Sequence, residues 1–222
     1  MSPRPEHSCP PAPRAGGQGR VYAGKSASER DAERRGRLLT AMFDIVGSHG
    51  YSELTVERLC SQANVSTRDF YKQYDGKESA FVDLYDCLLG QSGRRIRAAL
   101  AESHGRPLRE RIPAALVAYL APMFKDLRAA RIAFVEVVGL SARVEETRLR
   151  NRERLIQLIE HEGQAAAQRS EVADRDFRFV AIALVGAAAA ISHDWMIRDV
   201  RPPIEQLEQQ LAALAVGLLT QG

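Results

Sequence analysis

The residues best suited to chemistry lie in one short segment, Ser66-Thr67-Arg68-Asp69-Phe70-Tyr71-Lys72. Hydroxyls, a guanidinium, a phenol and an ammonium at this spacing suit nucleic-acid recognition better than bond making. Arginine bonds bidentately to guanine; threonine reaches a thymine methyl or a phosphate; lysine and the tyrosine hydroxyl reach phosphates. Arg68 is the first choice for base readout, with Thr67, Tyr71 and Lys72 beside it and Ser66 at the N-terminal edge. Asp69 is awkward next to phosphate. It reads as charge balance in a first helical turn, as a partner of Arg68 or Lys72, or as an acceptor from cytosine. Two residues complete the set. Lys77 opens the following helix, where its ammonium and free backbone N–H groups can clamp a phosphate, and Thr55 opens the preceding one. The expected DNA-binding residues are therefore Thr55, Ser66, Thr67, Arg68, Tyr71, Lys72 and Lys77. Any one of them alone would be ordinary solvated helix surface; their ordered combination points to DNA.

Such a set needs elements that present it. A first helix is expected from Ser28 or Asp31 to Ser48, because Leu38, Leu39, Met42, Phe43 and Val46 fall on one helical face. Gly50 stops it. Thr55 caps a second helix, whose inner face is Val56, Leu59, Cys60 and Ala63. Asn64-Val65-Ser66 breaks that helix, and asparagine tolerates the positive φ of such a turn. Ser66 or Thr67 caps a third helix, which Phe70 and Tyr74 anchor to the core. Asp75-Gly76 ends it, and a fourth helix starts near Lys77. The stretch from Thr55 to Tyr74 reads as a helix-turn-helix, the motif that lays its second helix in the major groove.

On these residues the chain resembles the TetR family of bacterial transcriptional regulators. The resemblance rests on Leu38 to Phe81: GYSELTVERLCSQANVS, then Phe70-Tyr71, then Tyr74-Asp75-Gly76-Lys77-Glu78. Glycine commonly occupies the Arg68 position and threonine the Asp69 position in that family. Both are charged here, which points to an unusual operator. The resemblance implies a three-helix DNA-binding domain joined by a fourth helix to a larger helical domain that binds a small effector and dimerises through its last two helices. Most members are repressors released by ligand.

The remainder reads as helix throughout, so the expected class is all-α. The expected organisation is a flexible basic arm over residues 1–28, a helix-turn-helix DNA-binding domain over 29–80, and a helical effector-binding and dimerisation domain over 81–222. Ser141 to Ala167 is long and amphipathic. Phe177 to Ile197 and Leu207 to Leu219 are strongly apolar, and Pro202-Pro203 starts the last helix. The run Gly186 to Ala190 removes side-chain bulk, so another helix can approach closely. Two such helices per subunit would make a four-helix homodimer interface, the alternative being a hairpin buried within one chain. A pocket is expected between residues 107–139 and 143–197, lined by Tyr119, Met123, Phe124, Phe134, Val138, Phe179 and Trp195, with His193 as a polar anchor. The shortage of charge in those segments favours a lipophilic effector.

Several classes find no support. The sequence has no glycine-rich phosphate loop, HExxH or G-x-S-x-G, so no enzyme is expected. Glu160-His161-Glu162 is a poor chelate because neighbours on a helix diverge by about 100°; no metal or cofactor is expected. Net charge is only +3 in 222 residues, but residues 14–37 carry seven arginines and lysines against three carboxylates, a local basic patch of the kind DNA needs. Three cysteines without a CxxC pair suit a reducing cytoplasm better than a disulfide framework. The N-terminal stretch has no continuous apolar run, and the run Phe179 to Ile191 is short and flanked by charge. The expectation is a cytoplasmic protein that meets no membrane. Its function would be that of a sequence-specific transcriptional regulator, a repressor released from a palindromic double-stranded operator by a small effector. The alternative is a dimeric helical small-molecule-binding protein without specific DNA binding.

Overall fold

The computed structural model describes residues 26–220, and within them the chain is helical with no strand. The expected arm over residues 1–28 lies outside the described residues except for Ser26 to Ser28. The chain divides between Cys87 and Leu88 into two compact units, each with its own core.

The first unit begins with α1, Ala27–His49. Ser26 and Glu29 form a reciprocal capping box: the Ser26 hydroxyl accepts from the Glu29 N–H at 3.1 Å, and the Glu29 carboxylate accepts from the Ser26 N–H at 2.7 Å. This Ser-x-x-Glu signature places the helix start slightly ahead of the expected one. Leu38, Leu39, Met42, Ile45 and Val46 bury its inner face. Gly50 ends it at φ 95°, a conformation that disfavours any side chain. A 3-10 turn, Tyr51–Glu53, leads into α2, Val56–Ala63. There the Thr55 hydroxyl accepts from the Arg58 N–H at 3.1 Å, and Asn64 takes φ 50°, both as the sequence implies. The Arg37 guanidinium donates to the Ala63 carbonyl at 3.1 Å, a cation at the negative end of α2.

Next comes α3, Thr67–Tyr71, shorter than the helix expected to run to Asp75-Gly76. The long helix α4, Lys77–Glu102, carries the chain past the unit boundary. Cys60 is the buried free thiol, its pKa pushed up by desolvation against a lowering hydrogen bond with Thr67.

In the second unit the later part of α4 is followed by α5, Leu108–Phe124, and α6, Leu127–Arg131. α6 runs on into a π-helical turn over Ile132–Glu136. The wider turn brings residues five apart onto one face, and Arg131 pairs with Glu136 at 2.8 Å. Pro113 and Pro122 sit inside α5. Three further helices complete the unit: α7, Ala142–Gln168; α8, Phe177–Ile197; and α9, Ile204–Thr220. α8 packs on α7 and α9, and α5 on α9. α7 and α8 meet closely at Gly163, where a Cβ would lie 2.3 Å from the Phe177 ring. α8 is long and apolar enough to cross a membrane by length and composition, yet Val180, Ala181, Leu184 and Val185 are buried within the unit.

Candidate functional site

The first candidate site is built around α3. Ser66 caps it: its hydroxyl accepts from the Asp69 N–H at 3.1 Å and donates to the Asp69 carboxylate at 2.8 Å. Lys72, at the C-terminal cap, donates to the other Asp69 oxygen at 2.7 Å. These bonds to Lys72 and Ser66 hold the half-buried Asp69 carboxyl below its ordinary range. Phe70 has no exposed surface and meets Tyr71 and Tyr74 at ring separations of 5.2 and 5.6 Å.

Behind it, a network of charge-assisted bonds fixes the turn. Arg35 grips Asp83 bidentately at 2.6 and 2.7 Å, and the Tyr74 hydroxyl donates to the same carboxylate at 2.6 Å. Burial and the neighbouring Asp83 push the Tyr74 phenol well above its usual value, so it stays a donor. Gln73 donates to the Asp31 carbonyl at 3.1 Å. Anchor and network together leave α3 one fixed outward face.

That face divides the expected DNA contacts. Thr67, Arg68 and Tyr71 are exposed, Tyr71 by 57%. Arg68 has no ion pair or hydrogen bond among the described residues. Thr55 is exposed at the start of α2 while its oxygen caps that helix. Ser66 and Lys72 are exposed but committed to Asp69. Lys77 points elsewhere: its ammonium donates to the Leu54 carbonyl at 2.7 Å and lies 4.7 Å from the Tyr51 ring centroid. No local spacing announces the Arg35–Asp83–Tyr74 lock, whose members are 48 and 9 residues apart.

The second candidate site is a cavity of about 120 Å³ inside the second unit. Of the expected lining residues, Tyr119 and Phe134 reach it. Met123, Phe124 and Trp195 instead form the neighbouring core, with Phe124 and Trp195 edge to face at 5.4 Å. The Trp195 indole donates to the Pro202 carbonyl at 3.0 Å, closing the turn before α9. Val138 and Phe179 face outward, 57% and 70% exposed, and His193 does not line the cavity. The wall is aliphatic: Ile112 and Leu116 from α5, Leu155 and Ile159 from α7, Leu184 and Ala188 from α8. Ile96 of α4 and Ala215 of α9 widen the set of contributing helices beyond those expected. The expectation favoured aromatics, whereas the helical repeat Leu155, Leu158, Ile159 was the available signal.

No group of His, Cys, Asp and Glu that could hold a metal ion occurs among the described residues. No protein-family model and no curated protein sequence matches the chain. Solved structures do match over most of its length. The fatty acid degradation regulator FadR from Bacillus halodurans superposes with a TM-score of 0.72 at 14% identity, over 88% of this chain and 97% of that one. FadR from Bacillus subtilis, in complex with stearoyl-CoA, gives 0.69 at 14% identity over 81% and 96%. A transcriptional regulator of the TetR/AcrR family from Thermobifida fusca gives 0.65 at 18% identity over 83% and 97%. The chain therefore has the fold of TetR-type transcriptional regulators, with a helix-turn-helix unit followed by a larger helical unit.

Proposed function

We propose that the chain is a sequence-specific DNA-binding transcriptional regulator, a repressor released from a palindromic operator by a small lipophilic effector. The observation that carries this reading is the presentation of α3. A capped, five-residue helix is locked from behind by Phe70 and the Tyr74–Asp83–Arg35 network, and it offers an unpartnered Arg68 beside Thr67 and Tyr71. A major-groove helix needs this combination of rigid support and outward donors. The work divides accordingly. Arg68 reads a base, Thr67 and Tyr71 contact base or phosphate, and Thr55 meets the backbone at the start of α2. Lys72 and Ser66 hold Asp69 and contact phosphate from the periphery. Lys77 fixes the loop before α2 through Leu54, and that end of α4 meets phosphate through its backbone N–H groups. The DNA-binding domain on this reading spans residues 29–80 and the effector and dimerisation domain 81–222.

Dimerisation supports the same function, since two recognition helices related by a twofold axis read a palindrome. The outward stripe of α8, Phe179, Ile182, Gly186, Ala190 and Ile197, repeats at helical spacing and is largely apolar. A second copy of the chain would cover it through α8 and α9. The cavity's aliphatic wall supports a lipophilic effector, as does the stearoyl-CoA bound by the Bacillus subtilis relative. These features suit a cytoplasmic protein that works on DNA without catalysis. Selection of bound duplexes from a randomised pool tests the function. Enrichment of a palindrome, with affinity falling steeply as salt rises, is the expected result; folded dimer that enriches no sequence would contradict it.

A further inference from the structure

Arg111 of α5 is a buried cation whose hydrogen bonds are incomplete. Its side chain is 3% exposed. Nη1 donates to the Glu162 carboxylate at 3.2 Å. Nε and Nη2 are buried and have no hydrogen-bond acceptor among the described residues. These two N–H groups share one edge of the guanidinium, the edge that grips a carboxylate with two parallel bonds. Arg35, Arg128 and Arg148 each use that edge, on Asp83, Asp126 and Glu145, with Nη2 bonds of 2.6 Å. In Arg111 the same edge meets no such partner. A buried donor without an acceptor is costly, and more so when it is charged.

The charges around it are balanced: Arg111 and Arg169 face Glu162 and Glu171. Glu171 is fastened twice, accepting from the Leu108 N–H at 2.7 Å and from Arg169 Nε at 2.5 Å. It lies 3.6 Å from Arg111 Nη2, an ion pair without a hydrogen bond. Glu162 is held by Arg111 through one bond, and its side chain is 25% exposed, so it can turn to solvent. A carboxylate that displaces Glu162 leaves the charge balance as it is, whereas one added beside both would bury an unpaired charge. Glu162 also lines the cavity, as do Leu108, Ile112 and Ala115, the α5 residues within about one turn of Arg111. Displacing Glu162 therefore opens the guanidinium to the cavity. Tyr119, about 12 Å further along α5, and Ser192, whose buried Oγ makes no hydrogen bond, supply only neutral donors to the wall.

We propose that Arg111 binds the carboxylate of a short aliphatic acid through its Nε–Nη2 edge, that the acid displaces Glu162 from the guanidinium, and that its tail fills the cavity. The proposal rests on reading the second unit as an effector domain, and it adds the head group and the length of the ligand. The aliphatic wall suits a hydrocarbon tail. A cavity of about 120 Å³ holds about four methylene-sized groups at roughly 30 Å³ each, the share a water takes in the liquid. With the carboxyl carbon at Arg111, the ligand is an acid of about five carbons. Arginine is specific to this task, because a lysine ammonium has no planar two-donor edge.

Calorimetric titration of the full chain at neutral pH, without DNA, tests this with pentanoate and pentanol as probes. Pentanoate should bind one per chain, and pentanol about tenfold more weakly. Arg111→Lys should weaken pentanoate about tenfold, because it keeps the charge and loses the two-bond grip. Glu162→Gln keeps the side chain's shape and removes the competing charge, so it should tighten pentanoate about threefold to tenfold. That gain separates a displaced competitor from a merely structural partner of Arg111, whose loss would loosen the unit and weaken binding. It also keeps the test decisive if Arg111→Lys does not fold. Pentanol binding as tightly as pentanoate would overturn the proposal. So would Glu162→Gln that fails to tighten pentanoate, or folded native protein that binds none. Pentanoate that Tyr119→Phe weakens and Arg111→Lys does not would put the head at the other end of the cavity and overturn it too. Because the titration contains no DNA, its failure is separable from failure of the regulator reading: protein that selects a palindrome and ignores pentanoate refutes this site alone.

Discussion

The α3 surface and the cavity solve opposite problems with the same helical elements. Around α3, nearly every polar side chain has an assigned partner: Ser66 and Lys72 on Asp69, Tyr74 and Arg35 on Asp83, and Lys77 on Leu54. Arg68 is left over. In the cavity the walls are generic aliphatics and the polar groups are the exceptions, with Ser192 and Tyr119 unpaired. A surface that must meet DNA in one register gains from polar cross-bracing, since each bond fixes an orientation. A cavity that must admit and release a molecule gains from walls that make no directional demands, with a few groups held back to select. On the proposed reading, the unpartnered Arg68 is the group left for DNA.

Perturbing the two regions separately tests this contrast. The largest effect is expected from Phe70→Ala. It removes a ring with no exposed surface and should cost about 3–5 kcal/mol of stability, read as the denaturant midpoint of the first unit, with DNA binding lost as well. Gly163→Ala is the counterpart in the second unit. A Cβ there would meet the Phe177 ring at 2.3 Å, so the α7–α8 approach must open at a cost of about 1–3 kcal/mol. Thermal unfolding should show this, with operator affinity at low temperature little changed.

Arg68→Ala should leave stability within about 0.5 kcal/mol but remove about 1–3 kcal/mol of discrimination at one base pair, measured by anisotropy with matched and mismatched duplexes. The smallest effect concerns Tyr119. Its pKa is raised to about 12 from an ordinary value of about 10. Stability from the neutral phenol is therefore complete below about pH 10 and is lost as pH climbs toward 12. Tyr119→Phe should flatten that alkaline loss, read by equilibrium unfolding across the window.

The sequence was informative where local chemistry fixes conformation. Thr55 three residues before Arg58, Asn64 at a positive-φ turn and Ser66 ahead of α3 are each set by bonds within three or four residues, so spacing alone revealed them. The spacing Ser26 to Glu29 was equally local and marks the true start of α1. The cavity was much less legible. Phe124, Trp195 and Met123 are large and apolar, as pocket walls often are, but tertiary packing put them in the adjoining core. The cavity was lined instead by leucines, isoleucines and alanines from five helices. Arg111 illustrates the limit. In sequence it is one arginine in a charged turn, and its burial between Glu162 and Glu171, 51 and 60 residues away, depends on how α5 and α7 pack.

The central claim is that α3 reads DNA sequence through Arg68, and the direct measurement is binding of the selected duplex and of a scrambled one by the native chain and by Arg68→Ala, across a salt series. The account predicts that the native protein prefers the selected duplex at every salt concentration. Arg68→Ala should narrow that preference while remaining folded and retaining salt-sensitive binding to both duplexes. Equal affinity of the native protein for the two duplexes, or a preference that survives Arg68→Ala intact, would contradict it.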